Sequence, residues 1–368
     1  MKIRNLITTV FLLGFILNLL FLPCLALQEE QQEEKAQEPK PVFIPQEVKS
    51  AFEEGIKTRQ PRLDIPFTIV KHFFLPAQEN MHSIFFFKAK NVDLGFYPIT
   101  PAPESLEKKE QKEEEEKEAP PASEIIPAKL QSNSRIFLQF SKLEGNEPGE
   151  VVKEIYIPVN FQVESSSYDP DKEELYSTAY PLPPGNYILS AAITSLNYEK
   201  IGTQYFEFSL PNSLSFTDGL DTTPLFFVQN VKRMDSPELQ PEIHKNFFTW
   251  SILQIEPNLE VILSSGETFE LFFYILGAQA SEGGKYNIEV DYEVLKGEEK
   301  AIRFAPGIYD LPLVSQPLNL KQTLIIKSEE GERKETQDLE PGKYTLSLKI
   351  TDKVSGKSVT KSMDFEVE

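Results

Sequence analysis

Three histidines, one cysteine and 57 acidic side chains are the groups in this 368-residue chain that could do chemistry. His72, His82 and His244 share no metal-ligand spacing, and none belongs to an H-E-x-x-H helix. His72 stands beside Phe73 in an apolar run, the setting of a hydrogen-bonded structural histidine. The chain has no G-x-S-x-G elbow, phosphate-binding glycine loop or dinucleotide fingerprint, and Ser264-Ser265-Gly266 reads as a turn. Carboxylates are plentiful, but a glycosidase pair is assembled only by the fold, so sequence singles none out. Asp169, Asp171, Glu173 and Glu174 alternate in a way that suits calcium. They lack the glycine and final glutamate of a helix-loop-helix site and read as a solvated loop. The expectation is a protein with no catalytic residue, no cofactor and no metal site.

Binding is signalled by phenylalanine instead. Adjacent rings recur at Phe73-Phe74, Phe85-Phe86-Phe87, Phe226-Phe227, Phe247-Phe248 and Phe272-Phe273. Neighbours in a strand point to opposite faces, so a ring entering a core sends the next one outward. Several outward rings imply a covered surface. The interface candidates are Phe74, Phe86, Phe227, Phe248 and Phe273, covered by another part of the chain or by a protein partner. Carbohydrate binding is a second reading. It would use Tyr156, Tyr168, Tyr176 and Tyr180, since Trp250 is the sole tryptophan.

Charge and compartment narrow the partners. The formal charge is −20, with no basic stripe, so the surface repels nucleic acid. Lys2 and Arg4 precede an apolar run from Leu6 to Leu25, then Pro23 and a small-residue site at Ala26. This pattern is a secretory signal over 1–26, placing the mature protein outside the cytoplasm, periplasmic or secreted. Membrane attachment would follow only if the run stays uncleaved or Cys24 is lipidated. Cleavage would leave no thiol and no disulfide, so stability must come from apolar burial.

The elements that position these residues read as strands. Residues 27–57 form an acidic linker with a short helix near Gln46–Ile56, and residues from about 100 to 130 form a charged, Pro-bracketed insertion. Alternating segments predict strands near Phe67–Phe74, Ser83–Lys90, Arg135–Phe140 and Lys153–Val163. Others fall near Thr249–Gln254, Thr268–Leu276, Tyr286–Val294 and Gln322–Ile326. Leu182–Leu210 and Leu339–Val367 align without a gap at an offset of 157, with 11 of 29 positions identical. Each copy is a Pro-Gly turn, a Tyr-led alternating strand and a closing strand, which is a duplicated hairpin.

A tyrosine opening the penultimate strand resembles the corner of immunoglobulin-like and fibronectin-type sandwiches, as found in tandem in exported bacterial proteins. The resemblance implies that Tyr187 and Tyr344 each bond back to the backbone just upstream. Leu189 and Leu346 stand where antibody domains carry a cysteine. The expected fold is therefore all-β, two tandem antiparallel sandwiches at 58–212 and 213–368. The expected role is protein–protein interaction, adhesion or envelope assembly without catalysis, ahead of polysaccharide binding and of hydrolysis by an unrecognised carboxylate pair.

Overall fold

The computed structural model describes residues 43–99, 129–145, 147–212, 219–328 and 331–368. The expected secretory signal, Cys24, most of the expected acidic linker and the centre of the expected charged insertion lie outside the described residues. Among the described residues one α-helix, α1 (Gln46–Thr58), precedes the strands. The first strands are β1 (Phe67–Ala77), β2 (Asn80–Lys90), β3 (Phe96–Pro98), β4 (Lys129–Ser132) and β5 (Ser134–Glu144). Next come β6 (Glu147–Pro158), β7 (Gln162–Glu164), β8 (Glu173–Leu182), β9 (Gly185–Ser195) and β10 (Ile201–Leu210). A middle group holds β11 (Asp221–Thr222), β12 (Phe226–Arg233), β13 (His244–Lys245), β14 (Phe248–Trp250) and β15 (Leu253–Asn258). Then follow β16 (Ile262–Leu263), β17 (Thr268–Leu276), β18 (Ile288–Lys296), β19 (Glu299–Arg303) and β20 (Gly307–Tyr309). The last are β21 (Leu313–Asn319), β22 (Lys321–Ser328), β23 (Gly331–Asp338), β24 (Gly342–Asp352) and β25 (Ser358–Val367).

Four main sheets result. Sheet one runs β1-β2-β8-β13 and sheet two runs β10-β9-β5-β6. Between them lies a first core that includes Phe85, Phe87, Phe140, Tyr176, Tyr187 and Phe208. Sheet three contains β17, β12, β15 and β14, with β21 pairing β17 on its other side. Sheet four runs β16-β25-β24-β18-β19. The second core, with Phe227, Phe273, Tyr292, Tyr344 and Phe365, lies between sheets three and four. Nearly every pairing is antiparallel; β16 with β25 is parallel.

The two closing hairpins, β9-β10 and β24-β25, occupy the same bounds 157 residues apart. Gly185 and Gly342 both have φ of 151°, which an L side chain rarely adopts, so glycine opens each first strand. Tyr187 Oη donates to Pro183 O at 2.8 Å and Tyr344 Oη to Glu340 O at 2.7 Å. Each ring stacks on the phenylalanine opposite, Tyr187 on Phe208 at 5.5 Å and Tyr344 on Phe365 at 5.7 Å. The hydroxyls thus find partners at the margin of an apolar core, where an unpaired one would be penalised.

The helix is amphipathic for a reason visible in its spacing. Val48, Ala51, Phe52 and Gly55 are buried on one stripe, with Glu47 in the first turn and Lys57 in the last, matching the helix dipole. That stripe covers the outer face of sheet two, against Phe137, Ala192 and Ile201. A Cβ on Gly55 would stand 1.9 Å from Tyr205 Oη, so glycine sets this close approach. The following segment seals an edge of the same sheet, with Thr203 N donating to Arg62 O at 3.0 Å and Arg62 N to Thr203 Oγ1 at 2.9 Å.

The corner bonds predict a small, local stability cost. Tyr344→Phe and Tyr187→Phe each keep the ring and lose one hydrogen bond, so each should cost roughly 1 kcal/mol. The check is a shift of the urea midpoint with unchanged slope, and a double variant should show nearly additive losses because the sites are far apart.

Candidate functional site at the joint between the sheet pairs

Sheets one and three pack against each other through a third apolar cluster. Phe73, Leu75, Ile84 and Phe86 come from sheet one. Phe226, Val228, Phe248, Ile255 and Phe272 come from sheet three. Phe73 and Phe226 stack at 4.7 Å and 16°, and Phe226 also meets Phe248 at 5.9 Å and Phe272 at 5.3 Å. Phe86 meets Phe248 edge-on at 5.8 Å. Sheets one and three therefore have two dry faces each, and residues Val42–Glu368 form a single compact unit.

Strand parity explains which ring goes where. On β2, Phe85 and Phe87 enter the first core, which turns Phe86 to the joint. Phe248, on β14, also lies in the joint. On β1 the pairing with β2 shifts between Ile69 and Lys71, a bulge at Val70. Phe67 and Ile69 face the first core before it, and Phe74 packs on that core after it, so Phe73 takes the outward place. In sheet three, Phe227 and Phe273 belong to the second core, and their neighbours Phe226 and Phe272 face the joint. Of the five candidates, Phe86 and Phe248 lie in the joint and Phe74, Phe227 and Phe273 do not.

The joint is completed by the segment after β12, which sequence patterning reads as one strand near Thr249–Gln254. It is instead a tight hairpin, β14 and β15, turning at Ser251 with φ of 54°. Just before it, β13 adds to the edge of sheet one, His244 opposite Ser177. The segment thus pairs with sheet one through β13 and with sheet three through β15. Its polar groups are satisfied across the joint. Trp250 Nε1 donates to Pro76 O at 2.9 Å, and His82 Nε2 lies 2.9 Å from Thr249 O. Thr249 Oγ1 donates to Glu238 Oε2 at 2.5 Å, and His244 Nε2 lies 3.0 Å from the same oxygen.

These contacts assign roles to all three histidines. Burial holds His82 below the usual imidazole range, partly offset by the Thr249 carbonyl and by Glu238. His72 faces inward, stacked on Phe85 at 4.7 Å with Nε2 2.9 Å from Ser83 Oγ; burial pushes it down to about 3. Burial alone would raise Glu238, but the bonds from His244 and Thr249 hold it low. Among carboxylates, Asp352 is wholly buried and accepts from Gln279 N, Val354 N and Ser355 Oγ, closing a turn.

Two clefts flank the joint. One, of 680 Å³, collects Lys71, Lys88 and Lys245 with Glu173, Glu174, Glu256 and Glu260. Lys88 bridges the sheet pairs to Glu260 at 3.7 Å, and Lys245 meets the buried Glu174 at 3.0 Å. The other, of 520 Å³, is lined by Lys71, Phe74, Leu225, Lys361 and Asp364 among others. In the first cleft three lysines stand among four glutamates. Among the described residues no group of three His, Cys, Asp or Glu could hold a metal ion. None of the described helices is long and apolar enough to cross a membrane.

The four tyrosines weighed for sugar binding each pack on a different ring. Tyr156 lies over Phe137, Tyr168 by Phe96, Tyr176 on Phe161 and Tyr180 on Phe140. Tyr176 is buried in the first core. Comparison with known proteins finds no family model that matches the chain and no similar curated protein.

Two outcomes follow. Phe226→Ala removes a ring that touches Phe73, Phe248 and Phe272, and should cost about 3–5 kcal/mol, as large-to-small core changes do. Trp250 emission should shift red at lower urea than in the parent. Acid should also destabilise the protein through His72. The unfolded chain takes up a proton near pH 6.5 and the folded chain only near 3. Stability is thus complete above 6.5 and falls by about 1.4 kcal/mol per pH unit below it. His72→Phe should flatten that slope in urea titrations between pH 7 and 4.

Proposed function

We propose that this protein is a non-catalytic, extracytoplasmic scaffold of two immunoglobulin-like sandwiches of the fibronectin type, arisen by duplication and serving protein–protein contact in adhesion or envelope assembly. The single observation that carries it is the contrast between the two outward faces of otherwise corresponding sheet pairs. Strand order supports the correspondence: β1-β2-β8 against β10-β9-β5-β6 repeats as β12-β17-β21 against β25-β24-β18-β19. Matched bounds, both glycine conformations and both tyrosine bonds support the duplication. Domain one then spans about 58–212 with α1 docked on it, and domain two 213–368.

The outward face of sheet two carries Phe137, Ala192, Ile201 and Tyr205, and α1 closes it. At the positions 157 later, Ala192, Ile201 and Tyr205 are replaced by Lys349, Ser358 and Ser362, all exposed. Beside them stand Thr345, Ser347 and Thr360, with Asp291 opposite Lys349. A flat polar face of this kind suits a reversible protein contact more than a buried one. The aromatic platform that a sugar site needs is not gathered on this face, so protein contact is preferred over polysaccharide. The secretory pattern at 1–26 supports the compartment.

A photo-crosslinking residue placed at Ser362 or Thr360 in the native host should yield one discrete adduct, and the same residue at Glu53 on α1 should not. Lys349→Glu should abolish the adduct while leaving thermal stability within about 0.5 kcal/mol. The reading fails if Ser362 and Glu53 give the same background, or if purified protein retains glycans whose binding Tyr156→Ala removes.

A further inference from the structure

We propose that the joint is a pH-sensitive clamp, in which neutral His82 holds the two sheet pairs together and its protonation releases them. The inference is independent of which partner the outer faces meet. It rests on where the polar groups stand. The centre of the joint is apolar, and on β2 His82 faces it like Ile84 and Phe86, while Lys88 reaches Glu260 in the cleft at its rim. Its acceptor, Thr249 O, belongs to the hairpin of sheet three, so the bond crosses from one sheet pair to the other. The same threonine anchors that hairpin through its hydroxyl to Glu238, which His244 also engages. A backbone carbonyl, the Glu238 carboxylate and the His244 imidazole are therefore the groups that face the clamp. They come from β14, from the segment before β13 and from β13 itself.

The neutral ring fits this setting. Nε2 donates its proton to the carbonyl and Nδ1 stays bare, which places no charge among the phenylalanines. A second proton would put a cation at the edge of a dry cluster. Glu238 offsets that cost only in part, because its Oε2 is already committed to Thr249 and His244. In the opened form His82 meets water and titrates near its ordinary value of 6.5. Linkage then favours opening as pH falls below 6.5, by up to tenfold in the opening constant per unit. Neither core need unfold for this, since each closes its own pair of sheets.

The sole tryptophan of the chain sits in the joint with its indole N–H on Pro76 O, so the native protein carries its own reporter. The experiment is hydrogen exchange by mass spectrometry between pH 7.5 and 5, corrected for intrinsic rates, alongside Trp250 emission, on a parent chain that carries His72→Phe to remove the acid response of the first core. Protection across 81–86 and 248–255 should fall by up to roughly 30-fold between pH 7.5 and 5. Protection across 344–350, in the second core, should stay within about twofold over that range. His82→Gln keeps a donor for Thr249 O without a titrating group, and should make protection of the joint independent of pH. Should His82→Gln destabilise the joint outright, His82→Asn and the parent slope alone still decide the matter. Joint protection that does not change with pH in the parent overturns the clamp. So does a slope that survives in a folded His82→Gln protein, or one shared equally by 344–350.

Discussion

Sheets one and three have no wet face, and the rest of the structure follows from that constraint. An antiparallel sheet ordinarily keeps one side in water, which gives alternation of apolar and polar residues along each strand. Here β1, β2, β12 and β17 must be apolar on both sides, so phenylalanine appears in adjacent pairs and alternation is lost. Burying each such ring contributes roughly 1.5–3 kcal/mol relative to exposure. No disulfide reinforces the described residues, so this apolar contact is what joins the two halves. Polar groups are admitted to the joint only where both partners are present, as at Trp250 with Pro76 and His82 with Thr249.

Much of the closing hairpins was legible in the sequence, because there alternation is strict and one face is wet. Tyr344, Leu346, Leu348 and Ile350 enter the second core, while Lys343 and Lys349 face water. The direction of the paired phenylalanines was not legible. Parity says that two neighbours diverge, but it does not say which core claims which ring. At β1 the extra residue Val70 reverses the parity midway, and at β12 and β17 two apolar environments compete for one strand. The β14-β15 hairpin was hidden for a related reason. Its turn is made by Ser251 and Ile252, without the glycine or asparagine that usually marks one.

The helix shows how the same sheet architecture can serve different surroundings. Ala192 and Gly55 are small where α1 and sheet two approach, and Tyr205 Oη bonds to Ala51 O at 3.0 Å. Along sheet four the corresponding positions are long or hydroxylated, and no helix among the described residues covers them. Core residues such as Leu189 and Leu346 match between the halves because both cores impose similar volume, whereas outward positions answer to whatever lies beyond them.

Back-to-back packing also sets a length. Four sheets lie one upon another, with three gaps of roughly 10 Å each, so the outermost sheets stand roughly 30 Å apart. The helix sits at one end of this stack and the polar face of sheet four at the other. While the middle gap stays filled by interlocked rings, the protein is a strut: whatever docks at one end is held at a set distance and angle from the other.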